Sequence, residues 1–130
     1  MPVTDDLIRA LELERTSGML SRRWLDEGGY DSPVYDILER HAVEDDRHAQ
    51  TVWNLLVDRG VAPPETSEVE TPEDFPATLI GLKEELLDLY DRVMPDVSAR
   101  ERKSLQEVRA EDDDQRALLT LYFPPVGSAH

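Results

Sequence analysis

The chain has 130 residues, enough for one domain with a real core. Its 29 acidic residues against 14 Lys and Arg give a formal net charge of −15, which argues against nucleic acid and anionic membrane surfaces as partners. There is no cysteine, so disulfides, thiolate metal sites and Cys nucleophiles are excluded. No charged-then-apolar leader opens the sequence and no apolar run approaches membrane-spanning length, so a soluble, cytoplasmic protein is expected.

Helix 1 is expected over residues 4–27, with Thr4 or Asp5 as cap and Gly28-Gly29 as stop. Leu7, Leu11, Glu14, Gly18 and Leu25 share a face at helical spacing, so Glu14 is an acid central to an apolar stripe. Asp31-Ser32-Pro33 opens helix 2, a cap followed by proline at the first helical position. Helix 2 runs over 33–59 to Gly60. Its inward stripe reads Val34, Ile37, Leu38, His41, Asp45, His48, Val52, Leu55 and Leu56. His41 and His48 therefore face inward one heptad apart with Asp45 between them. Glu44 stands at the edge, and Asp46 points away.

Residues 61–75 form a linker with three prolines and no apolar period. Roughly 14 extended residues can span about 45 Å, whereas a 20-residue helix is about 30 Å long. The linker can therefore run back along a whole helix, as in a bundle with one long crossover. Helix 3 is expected over 76–94, with Leu79, Leu82, Leu86, Leu89, Tyr90 and Val93 inward and Glu85 at the edge. Ser98 with Glu101 makes a capping box for helix 4, over 98–122, where Leu105, Val108, Asp112, Leu119 and Tyr122 share a face. Trp24 and Trp53 are expected as packing anchors. Residues 1–125 read as a single domain and 126–130 as a loose tail.

An acid and a histidine at i and i+3, as in Asp45-x-x-His48, can ligate one metal from one helix face, and carboxylate with imidazole suits iron, manganese or zinc. Glu14 can add a carboxylate from the facing helix. Other readings of the same residues are ion pairing of Glu14 with a neighbouring arginine, and of Asp112 with Arg109 or Arg116.

This pattern resembles the ferritin-like superfamily, including rubrerythrins and encapsulated ferritins: an inward Glu on helix 1, an acid-x-x-His on helix 2, and a second hairpin after a long crossover. Asp31-Ser32-Pro33, Ile37-Leu38, His48 and Trp53-Asn54-Leu55 are particularly similar to the second helix of encapsulated ferritins. The resemblance implies an all-α, antiparallel four-helix bundle with a long helix 2–helix 3 crossover. It also implies iron bound in a carboxylate/His site for Fe(II) oxidation or redox protection, and a homodimer or higher oligomer. Carried over, Glu14, Asp45 and His48 are the metal residues. Asp112, Glu44 and His41 are further candidates. Where the second motif has its histidine, this chain has Asp112-x-x-Gln115. The site is then either a half-site completed by another subunit or a decayed one. In the latter case the chain is a metal-free ferritin-like bundle acting through dimerisation or partner contacts.

Overall fold

The computed structural model describes residues 2–28 and 32–124. Those residues form four helices, α1 (Pro2–Glu27), α2 (Ser32–Asp58), α3 (Phe75–Val93) and α4 (Ala99–Tyr122), with a short 3₁₀ turn at Met94–Asp96 before α4 and no strand. The expected roles of Gly29 and Asp31 at the α1–α2 turn, and of the tail after Pro124, fall outside the described residues.

The helix ends follow from local chemistry. Gly60 at φ 74° takes the left-handed conformation that ends α2, and the amides of Gly60 and Val61 bond back to Val57 and Leu56. Asp74, the last residue before α3, caps it by accepting from the Ala77 amide at 3.0 Å. Ser98 and Glu101 form the expected reciprocal capping box on α4.

Cross-helix bonds give the directions. Arg9 and Arg92 join α1 and α3 through Glu85 and Asp6, and Arg109 joins α4 to Asp91 of α3. Arg22 pairs with Asp46 on α2, and Arg59, just after α2, with Glu101 of α4. Paired contacts run in opposite senses in each case, Asp6–Arg92 with Arg9–Glu85, Glu14–His48 with Ser17–Asp45, Lys83–Asp112 with Asp91–Arg109, and Glu44–Gln115 with Arg47–Glu111, so these neighbouring helices are antiparallel. The linker lies along α1, where Arg15 donates to the Pro64 carbonyl at 2.6 Å and Arg23 to the Val69 carbonyl. Val61 packs against one apolar end of the core and Val69 against the other, so the linker runs alongside α1 from one end toward the other. The all-α bundle with a long crossover is as the sequence implies.

The core has two apolar ends. One comprises Leu7, Leu11, Val52, Leu56, Leu86, Tyr90, Leu105 and their neighbours. The other is built on Leu20, Trp24, Leu38, Phe75, Leu79 and Leu119, with the Trp24 ring stacked on Phe75 at 5.7 Å. Each helix carries a polar residue between its contributions to the two ends: Glu14 and Ser17 on α1, Asp45 and His48 on α2, Lys83 on α3, and Asp112 on α4. The bundle is thus apolar, polar, apolar along its axis.

One packing expectation fails: Trp53 is 38% exposed and does not anchor the core, while Tyr122, expected on the same face of α4 as Leu119, is 46% exposed. Trp53 follows Val52 by one residue, a rotation of about 100° that turns it out of the buried stripe. Tyr122 sits in the last turn of α4, and it is the next residue, Phe123, whose ring packs against Trp24 at 4.9 Å.

Candidate metal centre

Four side chains from three helices meet in the polar layer. Glu14, Asp45, His48 and Asp112 each offer a ligand atom, and these atoms all lie within 4.8 Å of one another. All four residues are buried. Helical spacing puts Asp45 and His48 on one inner face of α2, where α1 packs against them at Gly18.

A fifth residue completes the layer. Lys83 is 1% exposed, and its Nζ donates to Asp45 Oδ1 at 2.7 Å and to Asp112 Oδ1 at 2.8 Å, with Glu14 Oε1 at 3.7 Å. The same three oxygens surround His48 Nδ1, at 3.8 Å from Asp45, 3.3 Å from Asp112 and 3.4 Å from Glu14. Ser17 donates to Asp45 Oδ2 at 2.7 Å, and the Tyr90 hydroxyl to Glu14 Oε2 at 2.6 Å. On the solvent side, His48 Nε2 meets Glu111 Oε1 at 2.7 Å, and Arg47 grips both oxygens of Glu111.

Burial disfavours every charge here, so the charges survive by pairing. Burial and the nearby Asp112 charge push the Glu14 carboxyl up to about 8, where it holds a proton at neutral pH. Burial also raises Asp45, against the pull of Lys83. Asp112 goes the other way: burial opposes its charge, but the Lys83 ammonium and the His48 hydrogen bond hold it well below the usual range. His48, though buried, is raised to about 11 by hydrogen bonds to Asp112 and Glu14 and by their charge. It is therefore an imidazolium donating from both ring nitrogens. Lys83 is held above its ordinary value against burial by Asp45, Asp112 and Glu14.

The remaining predicted residues lie beside the cluster. Glu44 accepts from Gln115 Nε2 at 2.9 Å. His41 is buried, and burial with the Lys83 charge lowers it to about 3, so its ring is neutral. Its Nε2 has no hydrogen-bond partner, nor do Gln115 Oε1 and Asp112 Oδ2. His41, Glu44 and Gln115 line a cleft of about 490 Å³ along the α2–α4 seam, and His48 with Glu111 lines the next one, about 510 Å³. The seam thus offers a way from solvent to the edge of the polar layer.

The arginine readings are corrected by the geometry. Glu14 bonds Tyr90 and His48 rather than an arginine. Arg109 is taken by Asp91 and Arg116 by Asp113, leaving Asp112 to Lys83 and His48. Glu85, expected at the edge of helix 3, is 44% exposed at its side chain and paired with Arg9. Sequence reasoning missed Lys83, Ser17 and Glu111. A signal existed for Lys83, which follows Leu79 by four and precedes Leu86 by three. It therefore shares their buried face.

Three carboxylates and one imidazole are a donor set for a divalent transition metal. Opposed ligands at about 2.1 Å from an ion stand about 4.2 Å apart, so the cluster need close by only tenths of an ångström. The partnerless Asp112 Oδ2 supplies a buried oxygen with free lone pairs. The residues fit one ion. Beside them Gln115 is turned to Glu44, and α3 presents the Lys83 ammonium to the cluster.

Fold and cluster together define a four-helix bundle with a buried carboxylate/His cluster that could hold a metal ion. The chain is similar in structure to a conserved hypothetical protein, rv2844, from Mycobacterium tuberculosis, known from its crystal structure. The TM-score is 0.77 at 13% identity, covering 94% of this chain and 97% of that one. At that identity the likeness is one of fold. No family model matches the chain, and no curated protein matches it. No helix among the described residues is long and apolar enough to cross a membrane.

Proposed function

We propose that this chain is a ferritin-like metal-binding protein. In this reading Glu14, Asp45, His48 and Asp112 hold one divalent transition metal, iron first and manganese or zinc as alternatives. The observation that carries it is the convergence of those four ligand atoms within 4.8 Å in a buried layer, with one carboxylate oxygen of Asp112 left without a partner. A bound iron would supply one-electron chemistry toward oxygen or peroxide, the basis for Fe(II) oxidation or redox protection. The chain's own residues prepare the site. His48 gives up its Nδ1 proton to become a ligand, Glu14 loses the proton it holds at neutral pH, and Tyr90 and Ser17 fix the far oxygens of Glu14 and Asp45. Glu111 accepts from His48 Nε2–H, which orients the ring and keeps Nδ1 turned to the cluster as the ligating nitrogen.

The test is metal counting. Fe(II) added anaerobically to the purified protein is expected to bind at one ion per chain, and air is then expected to oxidise it. Binding should vanish in Glu14→Ala and in His48→Ala. Retention no better than by an unrelated acidic protein would sink the proposal.

One observation favours a second reading, a metal-free bundle acting through dimerisation or partner contacts. Lys83 and the His48 imidazolium already neutralise Asp45 and Asp112. The same experiment separates the two readings.

A further inference from the structure

Lys83 bears on how many metal ions the layer can take. Paired metals in two-ion sites stand about 3.5–4 Å apart and share bridging carboxylates. The Lys83 ammonium already occupies the carboxylates that a second ion would need: it is hydrogen-bonded to Asp45 Oδ1 and Asp112 Oδ1, oxygens from two different helices, with Glu14 Oε1 at 3.7 Å. Those same oxygens face His48 Nδ1. Asp112 Oδ2, buried and partnerless, is the free donor that remains.

We propose that Lys83 is a built-in second cation, a covalently tethered substitute for the second metal of a dinuclear centre, which restricts this site to a single divalent ion. The inference rests on the metal-binding reading above and deepens it. Charge supports it. Glu14, Asp45 and Asp112 can carry three negative charges, and Lys83 cancels one. One divalent ion cancels the other two, whereas a second ion would leave two positive charges in a buried layer, which is strongly unfavourable. Geometry supports it as well. A lysine stem anchored on α3 between Leu79 and Leu86 can swing out only by opening the packed core on both sides.

The prediction concerns stoichiometry and coupling, read with Mn(II) alone. Wild type should bind one Mn(II) per chain and give the six-line electron paramagnetic resonance spectrum of an isolated ion. Lys83→Ala should bind two and give the spectrum of an exchange-coupled pair, while Lys83→Arg, which keeps the cation, should stay at one. One ion in wild type and one in Lys83→Ala overturns the inference and leaves metal binding standing. No ion in wild type overturns both. Wild-type crystals soaked in Mn(II) provide a test that needs no variant to fold. A single anomalous peak is expected, with Nζ still hydrogen-bonded to Asp45 and Asp112. Two peaks, or Nζ swung away, overturn the inference.

Discussion

At the scale of single residues, buried partners decide the chemistry, and two of them can be isolated. Tyr90 donates to Glu14 Oε2 at 2.6 Å with both residues fully buried. Tyr90→Phe removes the donor and strands an oxygen, at a cost of about 1–3 kcal/mol, and hydrogen bonds to charged groups lie at the upper end. Glu14 changes charge near pH 8. The loss should therefore be larger at pH 9 than at pH 6, as read by urea unfolding at the two values. An equal loss would mean that Glu14 does not ionise in this window. His41 gives the opposite sign. Its folded pKa of about 3 lies below the ordinary 6.5, so between those values the unfolded chain takes up a proton that the folded chain refuses. Stability contributed by the neutral ring is present above pH 6.5 and is lost as pH falls toward 3. His41→Leu should flatten the acid limb by up to about 1.4 kcal/mol per pH unit, seen in denaturation midpoints at pH 7, 5 and 4. An unchanged slope would show that His41 is protonated in the fold.

At the scale of helices, caps and register do the specifying. Ser98 accepts from the Glu101 amide, while the Glu101 carboxylate accepts from the Ser98 amide and also holds Arg59 at the end of α2. Ser98→Ala should cost about 1 kcal/mol, shared between fraying of α4 and loosening of its contact with α2. Faster amide exchange in the first turn of α4, with α1 unchanged, is the signature to measure. The same scale explains what could be read from the chain. Glycine, proline and capping serines marked the helices, and linker length against helix length indicated the crossover, because these signals are local. Glu14, Asp45, His48 and Asp112 were legible as inward polar residues because each interrupts an apolar stripe. Lys83 was not, although it interrupts one too, because lysine usually lies outside and Leu82 beside it offered a more ordinary core residue. Nor was the role of Glu111, since a surface acid reaches His48 only once α4 is docked on α2.

At the scale of the whole molecule, two electrostatic regimes coexist in one small bundle. The surface carries most of a net −15, while the inner layer is close to neutral through Lys83 and His48. Excess like charge destabilises the compact state by self-repulsion, and salt screens it over about 10 Å at 0.1 M and 3 Å at 1 M. Exposed bridges such as Arg9–Glu85, Arg22–Asp46 and Arg92–Asp6 weaken under the same screening, but each contributes at most about 1 kcal/mol. The repulsion involves every pair of the unbalanced acids, so it should prevail. The buried layer, shielded from ions, should be indifferent. The thermal midpoint is therefore expected to rise between 0.05 and 1 M NaCl, while the difference between wild type and Tyr90→Phe stays constant across the series. A midpoint that falls with salt would mean that the surface bridges outweigh the repulsion. A difference that shrinks with salt would mean that solvent ions reach the polar layer, and the α2–α4 seam beside His48 would be their route.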